Sequence, residues 1–170
     1  MNNSFSKSIP DAIFFDWDNT LVNNWDPIFI AYNKTLKSLG FKEQSKKKTL
    51  KNAKYSLRET FPKVFKKDWK KAKKIFYIAF KKIHLKKIKP INKAEELLKI
   101  INNKKIKCGV ISNKDGILLR KEINKLGWKK YFKVIIGANE AKKDKPSKYP
   151  FLLALNKISL KCNKNIWYVG

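Results

Sequence analysis

The residues with the clearest chemical potential follow apolar runs of the chain. Two carboxylates and a threonine, spaced two residues apart, follow the run AIFF, and a serine and an asparagine follow CGVI. A lysine directly precedes a proline further along the chain. Together the candidates supply two carboxylates, two hydroxyls, an amide and an ammonium: Asp16, Asp18, Thr20, Ser112, Asn113 and Lys145.

This combination of groups suits phosphoryl transfer. A carboxylate can attack phosphorus while Mg²⁺ holds that carboxylate and a phosphate oxygen together. A second carboxylate two residues on can protonate the leaving group and later activate water. A hydroxyl and an amide can bind phosphoryl oxygens, and a lysine neutralises the charge that builds up on them.

Alternating apolar runs and helical patterns predict an α/β fold with a mostly parallel sheet. Strands are expected at 11–16, 106–112, 133–137 and 165–170, and helices at 26–39, 92–103, 115–126 and 147–157. In such sheets ligands bind at the carboxyl ends of the strands, where the candidate residues lie.

The segment 42–89 differs from the rest of the chain. It holds 19 basic and three acidic residues, and apolar residues recur at helical spacing around Trp69, Phe76 and Phe80. No strand pattern interrupts it before Pro90. The segment therefore reads as a helical insert, with its aromatic residues in the core of the insert.

The net charge of +28 allows two interpretations. A functional basic surface could bind nucleic acid through its phosphates. However, only Arg58 and Arg120 among the 41 basic residues are arginine, whereas nucleic-acid recognition also uses the guanidinium fork. Abundant Lys, Asn and Ile instead suggest an AT-rich coding sequence that loads the solvated faces with lysine.

Composition excludes several classes of protein. Cys108 and Cys162 form neither a disulfide framework nor a zinc motif, and the single histidine, His84, is expected at the surface of a lysine-rich helix. The sequence contains no run of 18 apolar residues that could span a membrane, and its first ten residues lack the apolar core of a signal peptide. We therefore expect a cytoplasmic protein without a membrane partner, and its oligomeric state is left open.

Four ordered segments resemble the motifs of the haloacid dehalogenase (HAD) superfamily, most closely its phosphoglycolate phosphatase-type enzymes. The segments are FDWDNTLV, GVISN, Asp144-Lys145-Pro146 and NIWYVG. The resemblance implies a Rossmann-like core formed by 1–22 and 91–170. It also implies a helical cap of the C1 type at 23–90.

The resemblance also assigns roles by position. Asp16 would be the nucleophile that forms an aspartyl-phosphate, and Asp18 would be the general acid/base. Both residues would bind Mg²⁺, Asp18 through its backbone carbonyl. Three further residues would contribute to substrate binding. Thr20 would orient the loop that carries the two aspartates, and Ser112 would bind the phosphoryl group with help from Asn113. The cation would be Lys145, although nearby lysines compete for that role: Lys142, Lys143 and Lys148. The implied activity is Mg²⁺-dependent hydrolysis of a small phosphorylated metabolite similar to phosphoglycolate.

The superfamily's fourth motif carries acids directly after the strand that ends here at Gly170. The expectation from that departure is a truncated member with weak or absent activity. Alternatives are a catalytically impaired remnant or a basic nucleic-acid-binding module on the same scaffold, and a phosphomutase. Ser112 and Asn113 also have a structural alternative, because either residue could cap the helix that follows.

Overall fold

The computed structural model describes residues 9–52 and 56–170. Within them six strands occur: β1 (Ala12–Phe15), β2 (Val22–Asn23), β3 (Lys89–Pro90), β4 (Lys107–Asp115), β5 (Val134–Ala138) and β6 (Ile166–Val169). Four strands form a parallel sheet in the order β5-β4-β1-β6, while β2 and β3 form a separate antiparallel pair.

Strand β1 lies inside the sheet, between β4 and β6. Its sequence AIFF is apolar at all four positions and buried at all four, as expected for a parallel strand covered on both faces. Phe15 pairs with Val110 on one side and with Val169 on the other. The end of β1 is therefore held from two sides, which fixes where the residue after it, Asp16, leaves the sheet.

Helices cover both faces of the sheet. The helices of the described residues are α1 (Trp25–Ser38), α2 (Lys46–Asn52), α3 (Leu57–Phe65), α4 (Trp69–Lys87), α5 (Ala94–Asn103), α6 (Gly116–Lys125) and α7 (Tyr149–Lys157), of which the last three cover the sheet. Buried residues of α5 and α6 pack on one face, and Ala154 and Leu155 of α7 pack on the other. The predicted α/β fold with a Rossmann-like parallel sheet is confirmed.

The insert is built around aromatic side chains. Helices α1 to α4 lie between β2 and β3, and their buried rings include Phe61, Phe65, Phe76 and Phe80. Leu118 of α6 belongs to the same cluster, so this cluster rests on the sheet-bearing part of the chain. The insert also contains Lys89 of β3, where no strand was expected; pairing with Asn23 of β2 accounts for the difference.

The domain division at 23–90 stays a prediction. Residues 1–8, which carry most of the segment that lacks a signal-peptide core, lie outside the described part of the chain, as do residues 53–55 of the insert. No helix in the described ranges is long and apolar enough to cross a membrane.

Helix α6 shows two differences from the sequence-based expectations. The alternative that Ser112 or Asn113 caps this helix is wrong, because the Asp115 carboxylate accepts from the amides of Ile117 and Leu118. In addition, the apolar positions of the predicted helix at 115–126 include Ile117, whereas the structure leaves Ile117 68% exposed.

Candidate active site

The carboxyl ends of β1, β4 and β6 and the loop after β5 line one cavity of about 1190 Å³. All six sequence-predicted site residues line it: Asp16, Asp18, Thr20, Ser112, Asn113 and Lys145. The opposite wall comes from the insert and is mostly apolar, with Trp25, Ile28 and Tyr77 among its residues. The structure therefore brings the predicted residues together beneath an apolar wall.

An irregularity in β4 projects residues into this cavity. Ile111 pairs with Ile136 and Asp115 with Ala138, so three residues of β4 lie opposite the single residue Gly137. A Cβ atom on Gly137 would clash with the backbone of Gly116, so only glycine allows this close approach. The extra length explains why β4 runs past its expected end at residue 112.

Asp16 faces a lysine at the open side of the site. The Lys145 Nζ atom lies 2.8 Å from Asp16 Oδ1 and donates a hydrogen bond of 2.7 Å to the Tyr168 hydroxyl. Burial raises the pKa of Tyr168, so its hydroxyl stays protonated at neutral pH. Among the competing lysines, Lys142 instead lies over the ring of Tyr149, with its Nζ atom 5.7 Å from the centroid. Geometry thus favours Lys145 as the cation beside the predicted nucleophile.

Asn113 anchors the loop that carries this lysine. Its Nδ2 atom donates to the Lys145 carbonyl at 3.0 Å, and its Oδ1 atom accepts from the Lys145 amide at 2.9 Å. Ser112 is buried, and its Oγ atom accepts from the Lys114 amide at 3.1 Å. The amide of Thr20 approaches the Trp17 carbonyl at 3.4 Å, within the turn that follows β1. A role of Asn113 at the phosphoryl group stays a prediction, since both polar atoms of its side chain already bond to the Lys145 loop.

Asp18 has different surroundings from Asp16. Its Oδ1 atom accepts from Lys114 Nζ at 2.6 Å and from Asn24 Nδ2 at 2.9 Å. Burial raises the pKa of Asp18 above its ordinary value, and the Lys114 ammonium opposes that rise only in part. A carboxyl group whose pKa is raised is suited to give a proton to a leaving group.

Sequence reasoning missed the partners behind Asp18. Lys114 also donates to Glu122 Oε2 at 2.6 Å, and His84 Nδ1 lies 2.7 Å from Glu122 Oε1. The expectation of a surface histidine is wrong, because His84 is 1% exposed and its ring stacks on Phe80. Available signals were the position of Lys114 next to the Ser-Asn pair and the location of Glu122 between the buried Leu119 and Ile123 of α6.

Glu122 remains ionised despite its burial. Desolvation opposes the charge, but Lys114 together with hydrogen bonds from His84 and Trp17 lowers the pKa of Glu122 below its ordinary value. The Trp17 indole donates to Glu122 Oε2 at 2.7 Å, and its ring is fully buried.

The donor atoms at the strand ends fit a magnesium ion. Mg²⁺ in proteins is bound by one or two carboxylates with several waters and substrate phosphate oxygens. Asp16 can supply a carboxylate oxygen and Asp18 a backbone carbonyl oxygen, and both residues line the cavity. No group of three or more His, Cys, Asp or Glu side chains is placed to hold a metal within residues 9–52 and 56–170. The residues present therefore suit a hard cation that shares its coordination with water and substrate.

The parallel sheet brings together strand-end carboxylates, a serine and a lysine, which are the groups that phosphoryl transfer requires. The family model for haloacid dehalogenase-like hydrolases matches residues 13–170, and the chain belongs to this family. The chain is 31% identical over 148 residues to a phosphoglycolate phosphatase from Aquifex aeolicus, which covers 85% of this chain and 68% of that protein.

Solved structures agree with this assignment. A HAD-superfamily hydrolase from Ehrlichia chaffeensis is 27% identical, with a TM-score of 0.64 over 97% of this chain and 80% of that one. A haloacid dehalogenase-like family hydrolase from Streptococcus pneumoniae is 21% identical, with a TM-score of 0.82 over 94% of this chain and 74% of that one. The predicted HAD-type hydrolase class and the resemblance to phosphoglycolate phosphatases are confirmed.

Proposed function

We propose that this chain hydrolyses a small phosphate monoester through an aspartyl-phosphate on Asp16, with Mg²⁺ as cofactor. The observation that carries the proposal is the open pair of Asp16 and Lys145, 2.8 Å apart, beside the separately held carboxylate of Asp18. A nucleophile and an acid with different surroundings are what two-step phosphoryl transfer requires.

In the first step, an oxygen of the Asp16 carboxylate attacks phosphorus and the ester P–O bond breaks. Asp18 gives its proton to the departing alkoxide oxygen, which leaves as an alcohol. In the second step, a water molecule attacks phosphorus and gives a proton to Asp18. The bond between phosphorus and the Asp16 oxygen breaks, so inorganic phosphate leaves and the Asp16 carboxylate is restored. Lys145 and Ser112 stabilise the charge on the phosphoryl oxygens.

Magnesium held by Asp16 and Asp18 would bring the nucleophile and a phosphate oxygen together and neutralise charge on the phosphoryl group. The ordinary chemistry of these oxygen donors supports this cofactor. With the Asp16 carboxylate and the Asp18 backbone carbonyl as the two protein ligands, we expect weak binding of the ion in the absence of substrate.

The substrate class is proposed from the site and the relatives. The relative from Aquifex aeolicus is a phosphoglycolate phosphatase, which supports a phosphorylated metabolite of similar size. The insert forms the far wall of the cavity, so closure of this wall would exclude water from the reacting groups. A cytoplasmic setting stays a prediction.

The proposal is tested by phosphate release from phosphoglycolate and from phenyl phosphate, with and without Mg²⁺. Asp16→Asn should lower the rate at least about 1000-fold, because no carboxylate oxygen remains to attack phosphorus. Asp11→Asn is the matched control, since Asp11 is an exposed carboxylate directly before β1. Release that persists in Asp16→Asn, or no release from the folded wild-type chain, would contradict the proposal.

The charge of +28 motivates one alternative, a basic module that binds nucleic acid. Such binding should weaken steeply as salt is raised and should be unaffected by Asp16→Asn. A lack of DNA and RNA binding at about 0.15 M salt would count against this alternative.

A further inference from the structure

Four side chains form a continuous buried network behind the cavity. Lys114 lies in its centre, with its Nζ atom 2.6 Å from Asp18 Oδ1 and 2.6 Å from Glu122 Oε2. Glu122 Oε1 in turn contacts His84 Nδ1 at 2.7 Å. The side chains of Lys114, Glu122 and His84 are at most 5% exposed. Asp18 and Lys114 line the cavity, whereas Glu122 and His84 lie behind them, so the network meets the site at the Asp18 carboxyl group and its Lys114 partner.

Both connections between the sheet-bearing part and the insert contribute to this network. Asn24, just before α1, donates through Nδ2 to Asp18 Oδ1 and to Glu122 Oε2, each at 2.9 Å. His84 lies in the last turn of α4, shortly before the chain returns through β3. Lys114 also lies over the ring of Phe80, with its Nζ atom 5.3 Å from the centroid. The insert therefore helps to fix the position of the Lys114 ammonium.

The network restricts the orientation of the Asp18 carboxyl group. Its Oδ1 atom accepts from two nitrogen donors, Lys114 and Asn24. Because those donors occupy Oδ1, the Oδ2 atom is the one that can carry a proton toward a leaving group. Glu122 supplies a negative charge that stabilises the buried Lys114 ammonium, since a buried charge is strongly unfavourable unless it is paired.

We propose that Lys114 and Glu122 are positioning residues for the acid/base Asp18: Lys114 acts on Asp18 directly, and Glu122 acts through Lys114. The inference rests on the proposed function, because it assigns a purpose to the acid/base step of that reaction. Glu122 does not line the cavity; Lys114 does, but its Nζ atom is paired with Asp18 and Glu122. Both determine whether the Asp18 proton points into the cavity.

The test uses aryl phosphates whose phenol leaving groups differ in acidity. A positioned acid matters most for a basic leaving group, which needs a proton, and least for an acidic nitrophenol, which does not. Lys114→Met and Glu122→Gln should therefore lower kcat/KM for phenyl phosphate by about 100-fold, within the range of acid catalysis. For nitrophenyl phosphate the loss should be at least about 10-fold smaller.

Matched controls separate positioning from damage to the fold. Lys121→Met and Glu96→Gln change exposed residues of the same types on neighbouring helices and should leave the dependence on the leaving group unchanged. A purely structural role would lower the concentration of folded enzyme and reduce all rates by one common factor. Such a uniform loss in Lys114→Met would overturn the proposal.

A second measurement does not depend on activity. The Lys114 ammonium is buried and hydrogen-bonded to two carboxylates, so its protons should exchange slowly and give a resolved ¹H–¹⁵N signal. We expect that signal to vanish in Lys114→Met and to shift in both Asp18→Asn and Glu122→Gln. An unchanged signal in either of these two variants would overturn the inference. If the signal responds but the wild-type chain releases no phosphate, the proposed function fails while the contact between these groups is retained.

Discussion

The two carboxylates of the site, Asp16 and Asp18, lie two residues apart in surroundings that differ sharply. Asp16 and its partner Lys145 are 30% and 19% exposed at their side chains, at the mouth of the cavity. The Asp18 side chain is 20% exposed, but its partner Lys114 is only 5% exposed, and Glu122 on the other side of Lys114 is fully buried. One carboxylate is therefore open to a ligand, and the other is held by the interior of the protein.

This difference separates two kinds of ion pair. A partly exposed pair is screened by water and contributes little to the free energy of unfolding, so Asp16 and Lys145 are available for chemistry. A buried set of charges has no water to compensate a missing partner, so its geometry is held firmly. Two carboxylates that are neighbours in sequence can therefore take different roles because their environments differ: one is free to react, and the other is held in a fixed position.

The largest expected effect concerns the buried set. Glu122→Ala leaves the Lys114 ammonium and His84 without their shared partner, and we expect it to lower the free energy of unfolding by about 3–5 kcal/mol. Urea denaturation followed by circular dichroism would measure this loss. Glu140→Ala serves as the control, because Glu140 pairs with Arg120 in a bridge whose side chains are 26% and 45% exposed. That control should cost no more than about 1 kcal/mol. An equal loss of free energy of unfolding in the two variants would contradict the contrast between buried and exposed ion pairs.

A smaller effect on stability is expected at the open pair. Lys145→Met should change the free energy of unfolding by no more than about 1 kcal/mol, yet it should lower phosphate release by about 100-fold or more. Lys142→Met, from the same loop, should leave both quantities close to those of the wild type. A Lys145→Met variant that unfolds readily, or one that releases phosphate at the normal rate, would contradict this assignment.

Much of the sheet and of the open pair follows from the sequence. Apolar runs such as AIFF and CGVI mark buried parallel strands, and each candidate residue follows such a run or lies in a loop next to one. Parallel strands carry their carboxyl ends to one edge, so the order of the motifs suffices to bring Asp16, Ser112 and Lys145 together. For this reason the fold class and the gathering of these residues could be predicted.

The buried network could not be predicted in the same way. Trp17 and Glu122 are 105 residues apart in sequence, and His84 and Glu122 are 38 apart. A histidine in a lysine-rich helix resembles a solvated residue until the packing of α4 against α6 is known. Burial of charges depends on long-range contacts, which the spacing of residues along one helix does not reveal.

The most direct test of the central claim, that Asp16 reacts while Asp18 serves as acid/base, is to trap the intermediate. Sodium borohydride reduces an acyl phosphate to an alcohol and so converts the affected aspartate into homoserine. After rapid mixing with Mg²⁺ and phenyl phosphate, peptide mass spectrometry should find homoserine at position 16 and an unchanged aspartate at position 18. Homoserine at position 18, or phosphate release without homoserine at position 16, would contradict the account.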